Sequence, residues 1–476
     1  MRADCYLLVE GESDVEAFSI LKTVADSRFE VIRLQIQAYK NQPNLRRLVE
    51  GLVGADEKFI VVADEDALRA NNVNLSFVPR ESRIVLTGDL EGCFPADLFC
   101  QVANSLLGKQ VLNPSLLLSE EGRGLNRYRI IVNVTRANPG MVPPPKKRLA
   151  IELSKFCAAK GFVPESLWRT LDECRKVAET KMREDGRATI FSDLLINLGG
   201  GALLNRRAID TFGPSGSVVF SGGGRLLALD LGDRILRRFE RQGYDPEVSP
   251  DGTSIAYSAF LSRVDRRIRI LNMTSSQETE LEKPLEQEEY EPRWCSNGRN
   301  LVFTVNKQGR QHIWTSLASG TRRRRLADVS GRYADPRRGD NLVVFCNLED
   351  SAKLYTVPFR GGEPRKTCDL EGCYLPRWSP NGKLIAFVNG SPPNREIYII
   401  KFESGKLMKA TATYQEAISP SWVGNSHSLV FCGQRPYDNS LNLWMIDIMN
   451  GKCYQLTEGI TPGQPSYSRH RASLSR

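Results

Sequence analysis

Two apolar runs near the N-terminus end in carboxylates: Cys-Tyr-Leu-Leu-Val-Glu-Gly-Glu-Ser-Asp from Cys5 to Asp14, and Phe-Ile-Val-Val-Ala-Asp-Glu-Asp from Phe59 to Asp66. Buried strands that end in carboxylates, the first turning through glycine into a helix, gather oxygen ligands for a hard divalent cation. Glu10 closes the first run. Asp14 follows four residues later in the first helical turn, where it faces the same cleft and is favoured by the helix N-terminus. Asp64 and Asp66 flank Glu65 on a turn, and alternation points both to one side. About five or six oxygens are then expected around one or two Mg2+ or Mn2+ ions, which would activate water and stabilise the leaving oxygen of a phosphodiester. Glu91 adds a ligand or, with Glu10, a general base. Lys146, or failing it Lys147, neutralises charge building on the phosphate.

Plainer alternatives stay open beside these. Carboxylates at strand ends are often solvated loop charges, Glu91 also fits a helix-leading charge, and Lys146-Lys147-Arg148 also fits the solvated start of a helix. Other chemistries are poorly served. The three histidines are His312, His427 and His470, so no Ser-His-Asp triad, Cys-His pair or histidine-metal site can be assembled locally in the first 300 residues. The 11 cysteines include no Cys-x-x-Cys, and the closest pairs are Cys93/Cys100 and Cys368/Cys373. That pattern suggests reduced thiols packed as small apolar groups rather than a disulfide framework or zinc site. Gly199 to Gly201 and Gly222 to Gly224 follow no phosphate-loop pattern and read as a linker and a tight hairpin. Arg322 to Arg325 is the densest basic cluster, read as a solvated strand or turn with phosphate tracking as the alternative.

The elements that must position these side chains fall into two patterns. With 476 residues, the chain is too long for one ordinary core. Its 41% hydrophobic, 25% charged and 8% aromatic content is that of soluble globular material. The net charge of +9 is uneven: residues 1–145 hold 16 Lys and Arg against 19 Asp and Glu, and residues 146–476 hold 49 against 37. An acidic half suits a metal and a basic half a polyanion, although a basic surface tuned for solubility explains the excess equally well. The sequence opens without a charged segment and apolar core of the signal-peptide kind, and no stretch offers ~18 uninterrupted apolar residues, so a cytoplasmic location without membrane contact is expected.

Before residue 210, strand-length apolar runs alternate with amphipathic stretches: strand 5–10, helix 13–25, strand 29–36, helix 43–54, strand 58–63, a short helix, strand 83–88 and helices around 95–107. This βαβ pattern predicts a parallel, Rossmann-like sheet with right-handed crossovers. A further strand is expected over Tyr128 to Val134, then a proline-rich loop, then helices from Lys146 to about Leu198.

After residue 210 the chain repeats itself. Tyr244-Asp-Pro-Glu-Val-Ser-Pro-Asp-Gly, Tyr290-Glu-Pro-Arg-Trp-Cys-Ser-Asn-Gly and Tyr374-Leu-Pro-Arg-Trp-Ser-Pro-Asn-Gly are variations on one theme, with weaker copies beginning at Tyr333 and Ile418. The marker prolines Pro246, Pro292, Pro336, Pro376, Pro420 and Pro465 are 46, 44, 40, 44 and 45 residues apart, about one four-stranded propeller blade each. The clear copies carry an Asp-Gly or Asn-Gly hairpin turn between strands, whereas Tyr333 to Asp340 has lost both the tryptophan and that turn. Residues 217–240 read as three strands lacking the leading one, and Gln464-Pro-Ser-Tyr-Ser offers that strand, so the chain's end should complete the first blade and close a six-bladed ring. Trp294, Trp378 and Trp422 recur once per blade and read as core packing. These repeats resemble the TolB-type propeller over residues 217–468, with Trp-Ser-Pro-Asn-Gly at 378–382 the clearest copy.

The N-terminal half has its own resemblance. Leu8-Val-Glu-Gly-Glu-Ser-Asp looks like the first Toprim motif and Val61-Val-Ala-Asp-Glu-Asp like its Asp-x-Asp motif. Thr87-Gly-Asp-Leu-Glu-Gly-Cys-Phe-Pro and the Lys-x-x-x-Ala of Lys146 to Ala150 are similar to later segments of overcoming-lysogenization-defect (OLD) nucleases. No Gly-x-x-x-x-Gly-Lys-Ser/Thr accompanies them, so the ATP gating usual in that family has no counterpart motif. The resemblance implies a Toprim catalytic domain over 1–145, a helical extension and linker over 146–210, and the propeller over 211–476. It further implies a Mg2+- or Mn2+-dependent nuclease with Glu10, Asp14, Asp64 and Asp66 on the metal and Glu10, Glu91 and Lys146 catalytic. Nucleic acid, DNA in preference to RNA, is the expected substrate. An unidentified protein or ligand is expected at the propeller, self-association is compatible with the sequence, and defence against foreign DNA is the biological setting by analogy. A catalytically silent scaffold and primase-like nucleotidyl transfer are the alternatives; a propeller hydrolase is disfavoured because no nucleophile–histidine pair can be named.

Overall fold

A computed structural model of the protein describes residues 3–69, 73–86, 89–160, 163–185, 187, 195–199, 202–212, 216–262, 265–282, 287–339, 342–411, 416–424, 426–435 and 440–468. The chain divides into two compact units, Met1–Leu194 and Leu195–Arg476.

In the first unit, β1 (Cys5–Val9), β2 (Leu34–Ala38), β3 (Phe59–Asp64) and β4 (Arg83–Leu86) form a sheet of order β2-β1-β3-β4. Every neighbouring pair is parallel, with Leu7 opposite Ile36 and Ile60, and Val62 opposite Ile84. The strands are apolar throughout because both faces are covered. Alternate residues sort cleanly: Cys5, Leu7, Val9, Ile60 and Val62 join one core, and Leu8, Phe59, Val61 and Ala63 join the other. The first core is closed by α1 (Glu12–Ala25), and the second by α2 (Gln42–Gly54), whose Leu45 and Val49 are buried. After β3 come α3 (Glu65–Arg69), α4 (Ala96–Leu107), α5 (Pro114–Glu121), α6 (Arg127–Ala137), α7 (Lys146–Ala159) and α8 (Glu165–Glu184). Leu149, Ala150 and Leu153 of α7 and Leu167, Leu171 and Cys174 of α8 pack into the same core as β1.

Two expected strands change. Tyr128 to Val134 is helical, the middle of α6. Its Ile-Ile-Val run carries strand propensity, but Arg127, Ile130, Ile131 and Thr135 are the buried positions, which is helical spacing, and Asn126 caps the helix by accepting the Arg129 amide. The strand expected at 29–36 starts only at Leu34; Ser27–Glu30 is a 3-10 turn that seats Phe29 in the core. The helical pattern expected to run to about Leu198 ends earlier, and Leu195–Gly199 pairs antiparallel with Ala202–Asn205.

The second unit is a six-bladed propeller of four-stranded antiparallel sheets. Five blades are continuous in sequence, with innermost strands Tyr244–Val248, Glu288–Trp294, Gly331–Pro336, Cys373–Trp378 and Glu416–Trp422. The sixth is closed as expected: Pro462–Ser468 pairs with Ser217–Gly222, placing Tyr467 opposite Val218. Gly223 and Gly224 turn the hairpin into Arg225–Asp230 with φ of 58° and 77°, a conformation that suits glycine. The Ala202–Asn205 strand is held by this unit, pairing with Thr457–Glu458.

Each innermost strand carries a bulge at the same place, between Tyr244 and Glu247, Tyr290 and Arg293, Arg332 and Asp335, Tyr374 and Arg377, Ile418 and Ser421, and Gly463 and Ser466. In five of them the first bulged residue has positive φ: Asp245, Glu291, Tyr333, Leu375 and Ser419. This alignment corrects one repeat. The third copy begins at Arg332, and Ala334, not Pro336, holds the position of the marker proline. Pro336 lies two residues further on, which explains the irregular spacing around it. Bulges re-aim the side chain that follows them, and this one points one residue per blade at the central channel.

Candidate functional site

Glu10 follows β1 directly and Asp64 ends β3, the two strands flanking the point where the strand order reverses. In open parallel sheets the crevice beyond that point receives ligands. The Asp14 carboxylate accepts the Gly11 amide at 2.9 Å, fixing it over the first turn of α1. Leu90–Cys93 forms a 3-10 turn capped by Asp89, whose Oδ1 accepts the Gly92 amide at 3.0 Å, and this buries Glu91 completely. Arg127 at the start of α6 anchors the same turn by donating to the carbonyls of Glu91 and Phe94, while its Nε reaches Glu121 Oε1 at 2.6 Å. Packing of α7 on α1 then brings in Lys146, whose Nζ stands 3.2 Å from Glu91 Oε2. Lys147 turns instead to Glu16 at 3.0 Å.

The electrostatics are those of acids crowded in a partly dry cleft. Burial, then repulsion from Asp14, Glu10 and Asp89, pushes the Asp64 carboxyl up to about 8, against the opposing pull of Lys146. Burial raises Glu91 to about 7 despite Lys146 beside it. Glu10 and Asp14 are also raised, mainly by burial, with each acid's neighbours adding to it. Burial alone would lower Lys146, but Glu91, Asp89 and Asp64 carry it upward. Several oxygens have no donor: Glu10 Oε2, Asp89 Oδ2 and both oxygens of Glu91 are buried without a hydrogen-bond partner. The Lys146–Glu91 contact is an ion pair by distance.

Of the residues the sequence singled out, Glu10, Asp14, Asp64, Glu91 and Lys146 share this cleft and act on one another's charge. Asp66 lies within α3, and its side chain is outside the described residues. The alternation argument for it does not hold, because the backbone turns helical at Glu65 and strand alternation stops at Asp64. Among the described residues, no three His, Cys, Asp or Glu side chains already stand in an arrangement that holds a metal ion. The sequence reading missed Asp89 as a charge of this cleft; it lies two residues before Glu91 with Leu90 buried between them, and that spacing was its signal. Tyr39 was also missed: wholly buried, it donates to the Val62 carbonyl at 3.2 Å, and burial together with Glu10, Asp64 and Asp14 raises its hydroxyl. The orphaned carboxylate oxygens fit a hard divalent cation, which takes oxygen ligands and relieves crowded negative charge.

Elsewhere, Arg323 pairs with Glu289, Arg324 donates to the Phe359 carbonyl and Arg325 donates to the Ala327 carbonyl, so the arginine cluster is tied into the propeller. Among the described residues no disulfide joins the 11 cysteines, and all but Cys93 are buried. Among the described residues no helix is long and apolar enough to cross a membrane.

No protein-family profile matches the sequence, and no curated protein does. Among solved structures the chain is similar to TolB from Acinetobacter baumannii, with 16% identity over 62% of this chain and 73% of that one at a TM-score of 0.48. It is similar to putative TolB from Agrobacterium tumefaciens, at 13% identity, 53% and 91% coverage and a TM-score of 0.43. A nidogen/laminin complex matches at 13% identity over 53% of this chain and 98% of that one, with a TM-score of 0.45. The propeller thus has TolB-type structural neighbours.

Proposed function

We propose that the first unit is a Toprim-type, metal-dependent nuclease and that the propeller recruits or senses its partner. The observation that carries this reading is the convergence of Glu10, Asp14, Asp64, Asp89 and Glu91 on one crevice with donorless buried oxygens and a single lysine beside them. Glu10, Asp14, Asp64 and Asp89 would hold Mg2+ or Mn2+. A bound ion would supply an activated water and stabilise the leaving oxygen of a phosphodiester. Glu91, poised at about 7, is suited to take a proton at neutral pH. Lys146 places a positive charge where a phosphate would gain negative charge. Charge distribution supports a polyanion: residues 1–194 balance at 27 Lys and Arg against 27 Asp and Glu, and residues 195–476 hold 38 against 29. All of the net positive charge therefore belongs to the propeller unit.

The test is incubation of the full chain with plasmid, linear and single-stranded DNA and with RNA, in Mg2+, Mn2+ or EDTA, beside a Glu10→Ala/Asp64→Ala variant. Metal-dependent cutting lost in the variant supports the reading. A second reading, a silent scaffold, is favoured by the lack of a preassembled ligand group among the described residues. It predicts no Mn2+ binding that Asp64→Ala abolishes.

A further inference from the structure

We propose that Cys368 and Cys373 form a peroxide-reactive dithiol that closes a reversible disulfide across the strap joining the third and fourth blades of the propeller. None of the residues of the carboxylate cleft takes part, so the site stands apart from the cutting reaction.

The strap runs from the outermost strand of the third blade, Arg365–Lys366, to the innermost strand of the fourth, Cys373–Trp378. The Cys368 amide donates to the Leu354 carbonyl at 3.3 Å, and the Cys373 amide donates to the Ala352 carbonyl at 2.9 Å. Those acceptors are two residues apart, a span of at most about 7 Å, so the strap leaves and returns to nearly one place. A disulfide takes roughly 4.4–6.8 Å between Cα atoms, and this doubling back of the backbone supplies a comparable separation. The turn between the cysteines is held from both blades. Gly372, with φ of 66°, donates its amide to the Ser351 carbonyl at 2.8 Å, and Asn389 Nδ2 of the fourth blade donates to the Gly372 carbonyl at 3.2 Å.

Both side chains enter one apolar cluster, which also holds Cys346. Cys373 is wholly buried, and its thiol reaches the Leu370 carbonyl at 3.1 Å. Cys368 keeps 8% of its surface and lies between chain neighbours at the surface, with Asp369 exposed beside it. Contact with the Cys373 thiol holds the Cys368 thiol below the ordinary thiol range against burial, helped by the Leu370 backbone, and the same contact together with burial pushes Cys373 up. A thiolate at the surface with a protonated thiol behind it is the pairing that stepwise oxidation uses. The Cys368 sulfur attacks a hydroperoxide, breaking the O–O bond and leaving a sulfenic acid, while the departing oxygen takes up a proton. The Cys373 sulfur then attacks the Cys368 sulfur and forms the S–S bond, and its proton leaves with the sulfenic hydroxyl as water. The two thiols give up two electrons, which reduce the peroxide.

The molecule carries its own comparison. Cys5 of β1 and Cys174 of α8 also face each other, but in the core of the first unit, where burial pushes Cys174 up and leaves that pair without access to solvent.

The test uses the full chain, treated with hydrogen peroxide, alkylated with iodoacetamide under denaturing conditions, digested with trypsin and weighed. Both cysteines fall in one peptide, Thr367 to Arg377. At low peroxide this peptide should appear without carbamidomethyl groups and two hydrogens lighter than its reduced form, at least about tenfold faster than any other cysteine is lost, and dithiothreitol should restore it. Cys373→Ser should stop at the sulfenic acid, trapped on Cys368 by dimedone, and Cys368→Ser should leave Cys373 open to alkylation. These masses do not depend on cutting, so a failed nuclease reading leaves the result standing. A peptide that still takes up two carbamidomethyl groups while other cysteines oxidise, sulfinic acid at Cys368 with no disulfide, or a Cys5–Cys174 disulfide formed as fast would overturn the proposal.

Discussion

Asp64 concentrates the tension in the carboxylate cleft. Its carboxyl is pushed up to about 8 by burial and by the neighbouring acids, against an ordinary value of 3.8. Between those values the folded protein binds a proton that the unfolded chain has released, so this group makes the metal-free protein less stable as pH rises through that window. Below the lower value both states are protonated and the penalty disappears. In EDTA at pH 8, Asp64→Asn should therefore melt about 3 °C above the parent, with the gap closing toward pH 4. Mn2+ should raise the parent's melting temperature and leave the variant's in place. A variant no more stable than the parent at pH 8 would show that the crowding is not felt. Lys146 belongs to the same scale: Lys146→Met should reduce cutting about a hundredfold while Mn2+ binding persists, since its charge serves the phosphate, and should also lower the melting temperature because buried Glu91 loses its cation.

At the scale of elements, the cleft depends on the turn of residues 90–93, which is pinned from outside by Arg127. Arg127→Met would leave buried carbonyls without a donor and Glu121 without its partner, costing about 2 kcal/mol and lowering cutting without touching any residue in the cleft. Thermal melts and cleavage rates read together check this; unchanged cutting in a destabilised variant would remove Arg127 from the positioning machinery. This is also where the sequence was least legible. The ends of β1 and β3 could be read because continuous apolar runs stop at Glu10 and Asp64. Tyr128 to Val134 could not, because β-branched residues mask a helical spacing that only packing reveals. For Asp66 the alternation argument was carried past the point where the chain turns into α3, and its side chain lies outside the described residues. In the propeller, Pro336 mimicked a marker because a proline stands two residues beyond the true position, which Ala334 fills.

On the scale of the whole molecule, the ring is held closed by a strand contributed from the far end of the chain. Removing residues 462–476 should leave the Ser217–Gly222 edge bare and give a protein that aggregates where the full chain does not. Light scattering of the truncated and full chains checks this, and equal behaviour would mean that closure contributes little. Closure was readable from the repeat spacing, since a missing strand at one end matched a spare one at the other. The residues aimed at the channel were not, because they come one per blade and only the shared bulge aligns them. Nucleic-acid cleavage is the measurement that decides the role of the first unit. The full chain should cut at least one of plasmid, linear DNA, single-stranded DNA or RNA in Mg2+ or Mn2+, stop in EDTA, and lose the activity in Glu10→Ala/Asp64→Ala. Cutting that persists in that variant, or the absence of cutting together with Mn2+ binding indifferent to Asp64, would contradict it.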